Sequence, residues 1–475
     1  MLAYMNEFNV LLPEIFLSIT ACALLLLGVC SNYGKTQYNN FIFALAFAVA
    51  TYLLLSKTPE VEEIFIFDSL FRMNSTIKAF KLIVLVSAFF FMLLAKDKLQ
   101  KTPEDDNNSS FYEFPTIVTL AVIGMLLMLS ANNFLSLYVS IELQSLSLYV
   151  LAAYERNNSQ SSEAGLKYFI LGSFASGLLL FGISLIYGFT GNLDFVSLKL
   201  LLQDNATSSL ALGVVVGIIM VLIGLFFKVS AAPFHMWTPD VYQGSPTIVT
   251  SFFATIAKVA SVGVLFGLTD NIFTPWKLEL QPIFTLIICI SVLVGAIGAL
   301  KQDNLKRLLA YSSIGHVGFI LLAVASFGNI EASKSVLLYL IIYVSMTLGT
   351  FMVIMNLTRD NNAVIKLQDL AGLSKQHPLI AMALSIFMFS LAGIPPFAGF
   401  FAKFYAFKVA IDGENYIAIA VSIIAAVIAA YYYLKIVKIM YFDETQGRID
   451  NNMNFISKAI LLLFSLFNLG YVFIG

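Results

Sequence analysis

The sequence predicts an all-α polytopic membrane protein of about fourteen transmembrane helices, with two inverted five-helix repeats that each contain a broken helix. Three observations carry this. Of the 475 residues, 59% are hydrophobic and only 12% charged, whereas soluble domains usually carry about 25% charge. Fourteen apolar segments have the length to cross a bilayer, which takes roughly 20 residues. Two of those segments, five spans apart, are interrupted by proline beside a lysine, a pattern that marks discontinuous helices at the centre of transporter folds. An odd displacement makes the two halves run oppositely through the membrane.

In chain order, the first run, 10–29, follows an N-terminus with Glu7 and no Lys or Arg, so a retained first helix is expected and not a cleaved leader. Further spans lie near 40–56, 77–95, 115–131 and 133–153, the last two separated by a tight reversal at Asn132 and Asn133. They continue near 164–189, 209–232, 247–268, 282–300, 308–327 and 334–357, then 378–411 (interrupted), 415–437 and 455–474. Residues 1–475 thus form a single membrane domain. It comprises three N-terminal helices in 1–113, a first repeat over 114–268, a second over 282–440 and a C-terminal helix at 455–474. The polar loops 57–76, 96–114 and 358–377 are too short to be separate domains. Lys96, Lys98, Lys101, Lys306, Arg307, Lys366, Lys375 and Lys435 fall on one side, which should be cytoplasmic, with both termini opposite.

Several chemistries are excluded. Cys22, Cys30 and Cys289 lie in apolar segments without ligand spacing, so neither a disulfide framework nor a metal site is expected. Net charge is −1, and no basic patch with interleaved aromatics suggests nucleic acid. No Gly-rich phosphate loop or nucleophile elbow is present.

The informative residues are the charges inside spans. A lysine or aspartate at a helix centre costs roughly 2.5–3.5 kcal/mol even on the lenient insertion scale, so such groups must face protein or water. In LYVSIELQSLSLYV, Tyr138, Glu142, Ser145 and Tyr149 form one polar stripe on a helix. A functional carboxylate is the expectation; a packing ion pair is the alternative. Lys228 precedes Pro233, which cannot donate to the carbonyl of Val229. The freed backbone needs a polar interior, unless Pro233 simply ends the helix and Lys228 snorkels outward. Lys258 sits midway along its span, on a face with Ser251, Thr255 and Ser261 and beyond snorkelling reach. Lys403 follows the break at Pro395 and Pro396. Lys167 is near a helix start, where snorkelling and a buried role both remain open. His316, with Ser312 and Ser313 one turn before it, suits proton relay because imidazole titrates near neutrality; a hydrogen-bonded core histidine is the bland reading. His235 and His377, near helix ends, read as structural.

The stretches KVSAAPFHMWTPDVYQGSPT, DNLKRLLAYSSIGHVGF and GIPPFAGFFAKF resemble the seventh-to-eighth, tenth and twelfth spans of the antiporter-like membrane subunits of respiratory complex I. The resemblance covers nearly the whole chain. The wording PDVYQG is similar to the subunit N branch, where the L, M and cation/proton antiporter branches typically read Leu-Pro-x-Ala. The resemblance implies that Glu142 tunes Lys228, that Lys258 connects onward and that Lys403 is the lysine of the second broken span. Lys167 matches a span-six lysine of the N branch. One departure is the eleventh span, VLLYLIIYVSMTLGTF, which offers Tyr343, Ser345 and Thr347 where some relatives carry a charge. A route there rests on hydroxyls, Tyr339 and His316.

The function so implied is that of a proton-translocating subunit of NADH:quinone oxidoreductase, with protons passing from Lys228 by way of Lys258 and His316 to Lys403. Burial favours a neutral amine and a nearby carboxylate favours the ammonium, so moving Glu142 relative to Lys228 would load or unload the lysine. The chain holds no redox centre or cofactor of its own. Quinone, FMN and iron–sulfur clusters are expected in partner subunits. The partners implied are M-, K-, J- and L-like membrane subunits, in the lipid bilayer of a bacterial cell inner membrane with both termini periplasmic. The other readings are a cation/proton antiporter subunit, a stand-alone secondary transporter, or a passive scaffold whose charges are paired glue.

Overall fold

The computed structural model describes residues 8–30, 39–58, 63–95, 113–204, 212–359, 362–445 and 447–473. Glu7, Lys96, Lys98, Lys101 and the side chain of Cys30, used above, lie outside the described residues. Among the described residues, 13 helical spans are long and apolar enough to cross a membrane, and Pro378–Ala392 is a shorter apolar helix.

The helices of the N-terminal half are α1 (Leu12–Cys30), α2 (Asn39–Lys57), α3 (Ser75–Ala95), α4 (Glu113–Ser130), α5 (Phe134–Ala152), α6 (Ser159–Thr190), the short α7 (Phe195–Asp204) and α8 (Leu212–Val229). Asn133 caps α5 by accepting from the Leu135 amide at 2.8 Å, and the buried Asn132 completes the expected reversal. The Asn132 amide donates to the Leu70 carbonyl at 2.9 Å, and its Nδ2 donates to the Ser69 carbonyl at 2.9 Å. Those carbonyls belong to a small hairpin, β1 (Ile64–Ile66) and β2 (Phe71–Met73), in register Phe65 to Arg72. Asn158, whose Oδ1 accepts from the Gln160 amide, starts α6 earlier than the apolar pattern suggests.

After α8 the chain leaves the helix at Ser230 (φ 60°) and resumes as α9 (Trp237–Gly244). The carbonyl of Val229, which Pro233 cannot serve, accepts from the Ser230 hydroxyl at 2.6 Å. The eighth span, expected to be continuous, is instead broken into α10 (Thr247–Ala254) and α11 (Ile256–Asn271). Thr255 has φ −118° and ψ −82°, and its hydroxyl takes the Ser251 carbonyl at 2.6 Å. Hydroxyl side chains compete in this way with the helical ladder, and no proline or glycine announces it. The expected shared face of Ser251, Thr255, Lys258 and Ser261 is therefore corrected: helical spacing carries only Lys258 and Ser261 together.

The remaining long helices are α12 (Lys277–Leu300), α13 (Leu305–Val324), α14 (Ile330–Asn356), α15 (Pro378–Ala392), α16 (Ala398–Asp412), α17 (Tyr416–Phe442) and α18 (Phe455–Gly470), with a single helical turn at Leu373–Gln376 before α15. A three-stranded antiparallel sheet is formed by β3 (Leu357–Arg359), β4 (Asn362–Ala363) and β5 (Ile449–Asn451), with β3 in the middle.

Two compact units result: Met1–Lys228 with Ile256–Trp276, and Val229–Thr255 with Lys277–Gly475. In the first, α4 packs on α5, α3 and α1, and α11 packs on α3 and α4. In the second, α12 packs on α13 and α17, and α14 on α16, α15 and α18. The α12–α13 crossing is close because both sides are glycine: a Cβ on Gly295 would lie 2.4 Å from the Gly315 amide nitrogen. Large apolar side chains such as Phe174, Val427 and Phe455 remain exposed, as expected of helices that face lipid.

Candidate functional site

In the first unit, the polar stripe of α5 meets α6 and the end of α8. Glu142 accepts from the Ser176 hydroxyl at 2.6 Å. Lys228 donates from Nζ to the Ser145 hydroxyl at 2.6 Å and lies 5.9 Å from the centre of the Tyr149 ring. Ser145 is one turn beyond Glu142, so the carboxylate and the ammonium sit over neighbouring positions of one helix face. No direct Glu142–Lys228 ion pair is formed among the described residues. The Tyr149 ring fits because α6 offers Gly172, where a Cβ would fall 2.1 Å from the Tyr149 hydroxyl. Gly172 and Ser176 are four apart, so one face of α6 both makes room for the tyrosine and holds the carboxylate.

Lys258, on α11, is 2% exposed. Its Nζ has no hydrogen-bond partner among the described residues. Ser261, its neighbour on the same face, spends its hydroxyl on the Ala257 carbonyl at 2.8 Å. An amine buried without a partner is costly to fold around, and this is the sharpest anomaly of the first unit. Lys167 forms an i,i+4 pair with Glu163 at 2.8 Å, with the two side chains 43% and 63% exposed. That geometry places it on an exposed face of α6, away from the buried polar stripe.

In the second unit, the break between α15 and α16 has a specific chemistry. In a continuous helix the carbonyls of Leu391 and Ala392 would accept from residues 395 and 396, both of which are prolines without an N–H. Lys403 reaches back and donates to both, at 3.1 Å and 2.8 Å. It is 6% exposed and its Nζ lies 4.8 Å from the centre of the Phe319 ring. The turn itself passes through Gly393 at φ 82°, and a side chain there would also press on Lys403.

His316 is 3% exposed. Its Nδ1 bonds the Tyr339 hydroxyl at 2.8 Å and its Nε2 the Tyr433 hydroxyl at 3.2 Å. Tyr433 continues to Ser312, and Tyr343 donates to Ser313 at 3.1 Å. Tyr339 and His316, singled out from sequence, are therefore in direct contact. Tyr433, the other partner, lies 117 positions from His316, and nothing local in YYYLKIV marks it. His316 and Lys403 line one cavity with Ser312, Phe319, Tyr432 and Tyr433. Its volume of about 10 Å³ is on the scale of a single water molecule.

Other functional-looking residues were not anticipated. Glu14 and Lys81 form an ion pair that is 3% and 0% exposed, with Glu14 Oε2 left unpartnered. Asp240 of the PDVYQG motif pairs with Arg307 of the DNLKR motif at 2.6 Å, and Lys306 donates to the Ser245 carbonyl at 2.7 Å. The two motifs thus clasp each other through α9 and α13. His377 bonds the Ile449 carbonyl at 2.8 Å. Among the described residues no group of three or more His, Cys, Asp or Glu could hold a metal ion.

Comparisons with known proteins agree on one family. The model of the family described as "NADH:quinone oxidoreductase/Mrp antiporter, TM" matches residues 131–429. A relative from Rhodospirillum rubrum, named NADH-quinone oxidoreductase subunit N, is 43% identical over 95% of this chain and 91% of its own length. Another from Rhizobium meliloti, named NADH-quinone oxidoreductase subunit N 1, is 43% identical over 98% and 94%. Among solved structures, a chain of respiratory complex I from Thermus thermophilus with bound aureothin superposes with a TM-score of 0.81 at 30% identity, covering 97% of this chain and 96% of that one. A chain of the Mrp complex from Dietzia sp. shares the fold, with a TM-score of 0.83 at 20% identity over 99% and 95%.

Proposed function

Because the chain belongs to the subunit N family of NADH-quinone oxidoreductase, we propose that it moves protons across the membrane through two groups of buried ionisable side chains. The first is Glu142, Lys228 and Lys258; the second is His316 and Lys403. The observation that carries this reading is Lys258, an amine buried to 2% exposure with no hydrogen-bond partner among the described residues. A scaffold gains nothing from such a group, whereas a relay needs a site that can take and release a proton.

In the first group, the Ser145 hydroxyl between Lys228 and the Glu142 turn supports a pair whose spacing can change. That hydroxyl accepts from Lys228 at 2.6 Å and donates to the Ile141 carbonyl at 2.6 Å, so passing a proton toward Glu142 requires it to turn away from Ile141. In the second, Ser312, Tyr433, His316 and Tyr339 form a continuous run of groups that each donate and accept. Moving one charge against 100 mV costs about 2.3 kcal/mol. The energy comes from quinone reduction elsewhere in the complex, through contacts with M-, K-, J- and L-like membrane subunits. FMN, iron–sulfur clusters and quinone are expected in other subunits of the complex. The membrane is the bacterial inner membrane, with both termini on the periplasmic side. Lys167, paired with Glu163 on an exposed face of α6, stands outside both groups.

The test is reconstitution of the whole complex with Lys228→Ala or Glu142→Ala. Proton pumping should fall by at least about tenfold with assembly intact. Normal pumping and normal quinone reduction in both variants would end the relay reading.

A further inference from the structure

The geometry points to Asn468, on the last helix, as a positioning residue that holds the α15–α16 break in register around Lys403. This rests on the proposed role of Lys403 and adds to it a residue outside the stretch 131–429 that the family shares.

The connection can be followed bond by bond. Asn468 is fully buried. Its Nδ2 donates to the Ser345 hydroxyl at 3.0 Å and to the Phe464 carbonyl at 2.9 Å. Its Oδ1 accepts from the Ser390 hydroxyl at 2.8 Å. With its proton so directed, the Ser390 oxygen faces the start of α16 and accepts from the Gly399 amide at 3.0 Å. That amide is one of the orphan donors that open every helix. Lys403 stands four residues, one turn, beyond Gly399, and returns to the carbonyls of Leu391 and Ala392 just past Ser390. The bonds therefore close a ring across the break, from the end of α15 to the start of α16 and back through the ammonium.

Two features show that the ring is tight. A Cβ on Gly399 would lie 1.8 Å from the Ser390 carbonyl oxygen, so the two helix ends are in backbone contact. Asn468 also has its oxygen and both amide hydrogens engaged, and no rotation of the amide keeps all three bonds. A side chain that fixes three helices, α14, α15 and α18, at the position where a fourth begins sets where Nζ of Lys403 can go. Removing it frees the Ser390 hydroxyl to turn to its own helix, as serines commonly do, and the Gly399 amide loses its acceptor.

The experiment uses the assembled complex in proteoliposomes, with Asn468→Leu, Ser390→Ala, the double variant, and Lys403→Met alongside. Protons pumped per quinone reduced, and the pH profile of that ratio, are measured per assembled complex. Asn468→Leu and Ser390→Ala should each lower the ratio by at least about threefold and displace its pH profile, and the double variant should be no worse than the poorer single, because one ring is cut in each case. A purely structural role would lower the amount of complex and leave the ratio and profile per complex unchanged. If Lys403→Met is impaired while Ser390→Ala and Asn468→Leu keep the wild-type ratio and profile, the positioning role is wrong and the relay reading survives. If Lys403→Met itself pumps normally, the relay reading has failed. Should Asn468→Leu not assemble, Ser390→Ala decides alone, since it removes one oxygen and leaves the last helix intact.

Discussion

Two buried lysines of the first unit should respond in opposite senses to the same substitution. Lys81 is fully buried against Glu14. Lys81→Met leaves a carboxylate in the interior whose second oxygen already lacks a partner, and breaking a buried pair from one side costs about 3–5 kcal/mol. Lys258 has no partner to abandon. Lys258→Met removes an insertion cost of roughly 2.5–3.5 kcal/mol and introduces a side chain of similar shape, with repacking below about 1.5 kcal/mol. The net is a gain on the order of 1–2 kcal/mol, so the two variants should differ by about 4–7 kcal/mol. Heating the detergent-solubilised chain and following the folded fraction by fluorescence-detected size exclusion ranks them: Lys258→Met above wild type, Lys81→Met well below. In the reconstituted complex the stabilised variant should be the one that no longer pumps, the trade-off expected where a strained group serves function. If Lys258→Met melts as far below wild type as Lys81→Met, the amine has a structural partner, and the reasoning that assigns it to chemistry is refuted.

Three further outcomes are expected. Gly172→Ala puts a methyl 2.1 Å from the Tyr149 hydroxyl; the ring must move, carrying Lys228 off Ser145, and pumping should fall with little loss of assembled complex, as a blue-native gel with a pumping assay would show. Tyr433→Phe removes the hydroxyl between His316 and Ser312, and with it two buried hydrogen bonds; pumping should slow by roughly tenfold or more, whereas an unchanged rate would remove this hydroxyl from the route. The Asp240–Arg307 pair is 37% and 31% exposed and contributes no more than about 1 kcal/mol; Asp240→Asn should leave the melting midpoint within about 2 °C of wild type, and a larger drop would mean that the clasp between α9 and α13 is structural in earnest.

Much of this was legible because proline acts locally. Pro233, Pro395 and Pro396 remove identifiable donors, so the breaks and the lysines beside them could be read from the string of residues. Lys258 was legible for a related reason: a lone cation in an apolar run has no innocent explanation within reach of either end. Thr255 was not, because a hydroxyl breaks a helix only when its rotamer and surroundings allow, and many threonines sit in helices undisturbed. α9 was missed because WTPDVYQG contains proline and glycine, which a structured surrounding tolerates. The Glu14–Lys81 pair escaped because each residue stands near the start of its span, where charge is unremarkable, and their meeting spans 67 positions. Asn468, in LLLFSLFNLG, could have been flagged as the single amide of its span, but its partners lie 78 and 123 positions away. Contacts of that range leave no trace in periodicity.

The two carbonyls left unserved by Pro395 and Pro396 are sockets that only a donor can fill, and Lys403 fills both with one group. An ammonium grips such oxygens about twice as strongly as a neutral amine, and a neutral amine also has one hydrogen fewer to offer. If Lys403 carries the proposed proton, its departure slackens the hold on the end of α15 and its return draws the gap shut. On that proposal, occupancy at a single nitrogen is written into the shape of the backbone, and a rigid neighbour that prises this joint apart ejects a proton.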